Sequence, residues 1–289
     1  MHIIENDILK IQVKSKGAEL DSIWHKRNQL EYLWSGDPGF WAKKSPVLFP
    51  IVGTLKNDEY YFGGKAYKLS RHGFGREKEF AALQESPTRI RMSLHSSEET
   101  LELYPFSFCF DIVYELIENM LRVSYEIGNK GDDDMYLSVG GHPAFKLPLT
   151  DDTTYEDYFL RFDKVVNAGR WPISKEGLIE ATPNPLLTNT DRLALSKQLF
   201  QQDALVFKHL NADSVKLESG KTTHGLEFNF EGFPYLGIWA AKNSDFVCIE
   251  PWCGIADPVN SNQQLEDKEG INKLKKGESF AKSWSAKFY

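Results

Sequence analysis

Cysteine is scarce in this 289-residue chain: Cys109, Cys248 and Cys253 are the only three, and no two share a CxxC spacing. An odd, unpatterned set argues against a disulfide framework or a zinc ribbon and fits reduced thiols. Long hydrophobic runs are missing as well. No stretch approaches the roughly 18 consecutive apolar residues of a membrane span, so no membrane partner is expected. The opening MHIIENDILK has neither a basic flank followed by an apolar run nor a small-residue cleavage site, so no signal peptide is read and a cytoplasmic location is expected. A basic surplus is absent: 34 Lys and Arg stand against 41 Asp and Glu, a net charge of −7, which argues against a nucleic-acid partner. Nor is there an HExxH pair, a GxxxxGK[ST] loop, a GxGxxG opening a helix, or a GxSxG elbow. These absences set aside zincins, P-loop and dinucleotide sites and elbow-type serine hydrolases, and neither a metal nor an organic cofactor is expected.

What the chain does have is apolar and aromatic mass. Hydrophobic residues make up 41%, and the 19 Phe, 12 Tyr and 7 Trp are enough for a large core. The length would allow two domains, but sandwiches and barrels often run to about 200–250 residues as one unit. No linker, repeat or low-complexity tract interrupts the sequence, so a single domain over residues 1–289 is expected.

Strand periodicity dominates. Phe106, Phe108, Phe110, Ile112, Tyr114 and Leu116 alternate with Ser107, Cys109, Asp111, Val113 and Glu115, and Leu121, Val123, Tyr125 and Ile127 repeat the pattern after a short turn at 117–120. This reads as an antiparallel hairpin. Ile90, Met92 and Leu94 form another alternating face. Gly63-Gly64, between Tyr60-Tyr61-Phe62 and Lys65-Ala66-Tyr67, signals a second hairpin because glycine tolerates the positive φ of a primed turn. Further strands are read at 226–230, 235–240 and 246–250, and the best helical pattern is Arg192 to Gln201. Many antiparallel strands with little helix imply an all-β sandwich or barrel, unusually large for its class.

Four places combine polar groups with turn residues. In Leu137 to Pro148, LSVGGHPAFKLP, two glycines and two prolines present His142 on a loop, where it is a candidate general acid or a structural histidine on a turn. Arg71-His72-Gly73-Phe74-Gly75-Arg76 is a glycine-punctuated loop that is either a ligand site or a solvated basic turn. Asp203 opens the apolar run Ala204-Leu205-Val206-Phe207 and is a binding carboxylate or a cap. Glu250 continues the Phe246/Cys248 face of a short apolar strand that Pro251 is expected to end. Next to Trp252 such a carboxylate is desolvated and its pKa rises towards the range of a general base; a rim glutamate paired with lysine is the plainer alternative. Asp132-Asp133-Asp134 reads as a solvated loop, although three acids can hold calcium.

The ordered set Ser45-Pro46-Val47-Leu48-Phe49-Pro50-Ile51-Val52-Gly53, His72-Gly73-Phe74-Gly75-Arg76, Gly141-His142-Pro143-Ala144-Phe145, Asp203-Ala204-Leu205-Val206-Phe207 and Glu250-Pro251-Trp252 resembles the aldose 1-epimerase (galactose mutarotase-like) family, in its LacX-like branch. The resemblance implies a large antiparallel β-supersandwich and a sugar substrate. It also implies His142 as general acid, Glu250 as general base, and His72 and Asp203 as ligands of sugar hydroxyls. Galactose mutarotases of this family carry an Asn-Arg pair before the first hairpin whose arginine contacts the sugar; here Thr54 falls at that place. Arg71 or Arg76 then becomes the candidate replacement charge, and a hexose 6-phosphate becomes an alternative substrate. A non-catalytic sugar-binding or sensing module on the same fold is the alternative from another class. A monomer or homodimer is expected.

Overall fold

The computed structural model describes residues 1–289 and is built almost entirely from antiparallel strands. A nine-stranded sheet runs, in spatial order, through residues 184–194, 158–170, 214–219, 226–229, 279–288, 120–129, 108–117, 89–95 and 81–86. A six-stranded sheet contains 205–208, 235–239, 246–253 and 47–48, with 139–141 and 144–146 both pairing onto 246–253. A four-stranded sheet at 2–31 and two two-stranded pairs complete the molecule. This is the all-β supersandwich expected from the alternating segments.

Alternation produces this architecture because every second residue of a strand meets the facing layer. In Phe108–Ile117 the residues Phe108, Phe110, Ile112 and Tyr114 are buried, and they pair residue for residue with Met120–Asn129. The turn is tighter than the sequence suggests. Ile117 pairs with Met120, so only Glu118 and Asn119 remain in the loop, with Glu118 at φ 54°. Gly63 and Gly64 both have positive φ, as a primed turn requires. The two main sheets meet through aromatic contacts: Phe49 lies 4.5 Å from Phe110 and Phe145 lies 5.9 Å from Phe228, ring centre to ring centre. A continuous core of 71 buried residues joins them.

Two sequence expectations are corrected. Arg192 to Gln201 is not a helix: strand 184–194 runs to Ala194, and a single 3₁₀ turn follows at Lys197–Phe200. Leu193 and Leu195 are both buried, two residues apart, which is the period-2 signal of a strand meeting a turn. The one α-helix lies elsewhere, at Glu98–Leu103, closed by a reciprocal cap between Ser97 and Thr100. Pro251 also does not end its strand, which continues through Cys253. Its fixed φ is compatible with extended backbone, so the strand passes through it with one ladder donor fewer. In the acidic turn, Asp132 pairs with Lys276 and Asp134 with Lys273.

Candidate active site

The six-stranded sheet places His142 against Glu250 by register alone. On one side of the gap between 139–141 and 144–146, Gly140 lies opposite Trp252; on the other, Ala144 lies opposite Cys248. The register is the same on both sides, so His142 falls opposite Glu250, its side chain on the face that carries Phe246, Cys248 and Trp252. Pro143 withholds a ladder N–H there, which opens the pairing at the histidine. His142 Nε2 and Glu250 Oε2 are 3.3 Å apart, and both side chains are buried.

The pair faces a cavity of about 370 Å³. All six residues singled out from the sequence line it: His142, Glu250, His72, Asp203, Arg71 and Arg76. The other walls are aromatic and aliphatic, from Trp41, Trp239, Trp252, Ile173, Ile179 and Val206. Trp41 lies 4.9 Å from the His142 ring, tilted by 31°, and Trp239 meets it edge-on at 5.5 Å. Glycine makes room for this packing: a Cβ on Gly237 would come within 2.4 Å of the Trp252 ring, and one on Gly140 within 2.7 Å. Strand 246–253 needs these gaps on both flanks to seat an indole beside Glu250.

His72 and Asp203 enter the cavity from backbone that ordinary residues avoid, at φ 70° and 139°. The His72 turn is fixed by Gly73, where a Cβ would meet the Phe49 carbonyl at 2.4 Å. Gly53 donates its N–H to His72 Nδ1 at 3.1 Å, which puts the ring proton on Nε2 and aims a donor into the cavity. Arg71 Nε lies 3.3 Å from that same Nε2. Both atoms carry protons in this tautomer, so the contact is a juxtaposition of donors that a ligand oxygen would relieve. Arg71 Nη2 stands 3.9 Å from Asp203 Oδ1, and Arg76 donates to the Arg71 carbonyl at 2.8 Å.

Burial sets the protonation of the site. It pushes the Glu250 carboxyl well above its ordinary value, an effect that the Arg71 charge partly opposes. Burial pulls His142 down to about 3, assisted by the charges of Arg71 and Arg76, and it holds His72 well below the usual histidine range. Burial therefore favours a protonated carboxyl beside a neutral imidazole over the ion pair. Three buried polar atoms on the cavity wall have no partner: His142 Nδ1, Arg76 Nε and the Trp252 indole Nε1. Unsatisfied buried polar groups are rare in folded proteins, and three around one cavity mark it as the candidate functional site.

Some of the lining had no sequence signal. The segment 171–180 reaches over the cavity with Ile173, Gly177 and Ile179, pinned where Trp171 donates to the Val206 carbonyl at 2.8 Å and Ile179 to the Asp257 carbonyl at 2.9 Å. It packs on Thr54, whose Oγ1 would lie 2.6 Å from a Cβ on Gly177. Thr54 is buried and does not line the cavity, so the guanidinium groups at the wall are those of Arg71 and Arg76. Nothing in the isolated pattern of 171–180 marks it as a wall; only its three-dimensional docking does.

Fold and cavity together define the class: a galactose mutarotase-like β-supersandwich with a histidine–carboxylate pair at the floor of a pocket. The chain matches the family described as aldose 1-epimerase over residues 1–283, and it belongs to that family. It is 34% identical to the chromosomal Protein LacX of Lactococcus lactis subsp. lactis over 283 residues, covering 94% of this chain and 93% of that one. Its structure is similar to a galactose mutarotase related enzyme from Lactobacillus acidophilus, with a TM-score of 0.95, 36% identity and coverage of 100% and 97%. It is also similar to a galactose mutarotase-like protein from Lactobacillus casei, with a TM-score of 0.94, 28% identity and full coverage of both chains.

Proposed function

We propose that the protein is an aldose 1-epimerase, interconverting the α and β anomers of an aldohexose by acid/base-catalysed ring opening and closure. The observation that carries this reading is the 3.3 Å approach of His142 Nε2 and Glu250 Oε2 at the floor of a sugar-sized cavity. The pair shares one mobile proton. With that proton on His142, Glu250 removes the hydrogen of the anomeric hydroxyl while His142 protonates the ring oxygen, and the C1–O5 bond breaks to give the open aldehyde. The pair is then a protonated carboxyl and a neutral imidazole, the state burial favours. After rotation about C1–C2, Glu250 returns its proton to the carbonyl oxygen and His142 takes back that of the attacking hydroxyl, closing the opposite anomer. His72 Nε2–H and the Asp203 carboxylate orient sugar hydroxyls, and Trp41, Trp239 and Trp252 offer apolar faces for the pyranose. Saturation-exchange NMR of anomer interconversion across a panel of aldohexoses tests the reading. Glu250→Gln or His142→Ala is expected to remove most of the acceleration on the best sugar, and unchanged rates in both variants would sink it.

A phosphorylated hexose is the second reading of the substrate, and Arg71 and Arg76 favour it. The Arg71 side chain is about half exposed, and Arg76 Nε is buried without a partner. An anionic substituent would give both guanidinium groups an acceptor. This reading expects glucose 6-phosphate to turn over faster than glucose, with the advantage lost in Arg71→Ala; equal rates on the two sugars count against it.

A further inference from the structure

The residue beneath the catalytic pair has no part in anomer exchange as written above. Cys248 lies two residues before Glu250 on the same strand and therefore on the same face. It is fully buried and is a free thiol. One ligand atom from each of His142, Cys248 and Glu250 lies within 4.8 Å of the other two. Tetrahedral zinc, with bonds of about 2.0–2.3 Å, has ligand atoms roughly 3.3–3.8 Å apart. His142 and Glu250 already stand at such an edge length, and small side-chain rotations would bring the third ligand in. His142 adds a second observation: its Nδ1 is buried without a partner, so no neighbouring residue fixes the ring through that nitrogen. The sequence offers no sign of such a trio, because His142 is 106 residues from Cys248 in the chain and meets it only through strand register.

We propose that His142, Cys248 and Glu250 form a binding site for a thiophilic divalent cation of the zinc class, which shuts the active site by occupying its acid and its base together. Imidazole nitrogen, thiolate and carboxylate are a donor set that zinc and its relatives accept, whereas calcium and magnesium prefer oxygen alone. Three protein ligands leave the fourth position directed at the cavity, where water or a sugar hydroxyl completes the shell. On binding, the thiol and the carboxyl each release a proton to solvent, and the ion leaves neither Glu250 nor His142 free to move one. The ion is thus an inhibitor, and a cofactor role is not implied. The site's inhibitory meaning rests on the aldose 1-epimerase reading, but its existence does not.

Cobalt(II) supplies a probe independent of turnover, because a thiolate on cobalt gives a ligand-to-metal charge-transfer absorbance. The experiment uses the full chain with Cys109→Ser, removing the partly exposed thiol, and titrates Co²⁺ and Zn²⁺ into this protein and into versions also carrying Cys248→Ser or His142→Ala. One equivalent of Co²⁺ should develop the band in the parent protein. Both added substitutions should abolish it, and Cys248→Ser should weaken Zn²⁺ binding by more than about 100-fold, beyond what changes outside the ligand shell cost. Zn²⁺ should stop anomer exchange in the parent and leave the Cys248→Ser protein active. A parent protein without the band, or a Cys248→Ser protein that binds and is inhibited equally, overturns the proposal. If no sugar is turned over but the band appears and depends on Cys248 and His142, the site stands and the enzymatic reading falls.

Discussion

Glu250 and Asp257 are buried carboxylates near each other in sequence, yet their surroundings are opposite. Asp257 is fully accounted for: Lys268 Nζ donates to one oxygen at 2.7 Å, and the backbone N–H of Lys56 donates to the other at 3.0 Å. Its main chain takes the Ile179 N–H and gives its own N–H to the Thr54 carbonyl. Glu250 has no cation bound to it, only a neutral imidazole 3.3 Å away and an indole N–H that makes no hydrogen bond of ordinary geometry. Asp257 uses its charge to tie the cavity wall together. Glu250 is left short of partners, and its carboxyl holds its proton at a pH where an exposed glutamate would lose it. A satisfied buried charge is read as architecture and a deprived one as chemistry, the distinction that matters in a site with several acids.

The largest effect should separate the two residues by rate. Glu250→Gln or His142→Ala is expected to slow anomer exchange by roughly 10²–10⁴-fold, the usual contribution of positioned acid/base groups. Asp257→Ala should change the rate constant at saturating sugar by less than about tenfold, one step of 1.36 kcal/mol. The comparison breaks if the Asp257 variant, still folded, is as slow as the Glu250 variant.

Stability should show the reverse order. Asp257→Ala leaves Lys268 buried and unpaired, and urea denaturation should record a loss of about 3–5 kcal/mol. Glu250→Gln should be stabilising at alkaline pH. The Glu250 carboxyl is held above its ordinary 4.5 in the folded chain, so the unfolded chain releases this proton first as pH rises. The stability contributed by the protonated form is present below 4.5 and is lost across the window above it. Thermal scans at pH 8 should place Glu250→Gln on the order of 2–4 °C above the parent, with a smaller difference near pH 4.5. A variant less stable than the parent at pH 8 would mean that Glu250 is satisfied after all.

Much of this was legible in the sequence where physics is local. The Phe106–Ile127 hairpin announced itself because alternate residues must face one core, and Gly63-Gly64 because a primed turn needs positive φ at both positions. Arg192 to Gln201 misled because so short a stretch holds too few apolar residues to tell the strand period from the helical one. The His142 loop was marked by glycine and proline, but its partner was not: the meeting with Glu250 follows from matched register on either side of a gap, a property of two strands. Segment 171–180, Trp239 and the Asp257–Lys268 pair were silent for the same reason, since each acquires its role only by docking against residues distant in the chain. Asp203 and His72 stand out in the sequence by residue type and context, whereas their positive φ exists only in three dimensions.

The central claim is that burial keeps His142 neutral and makes it share a single proton with Glu250. The most direct measurement is the pH profile of kcat/KM for anomer exchange in the unmodified protein, which reports the free enzyme. With His142 drawn down to about 3, activity should show no acid limb as pH falls through the ordinary histidine value of 6.5 to about 5. An acid limb centred near 6.5 that disappears in His142→Ala would show an ordinary, solvated histidine and contradict the account.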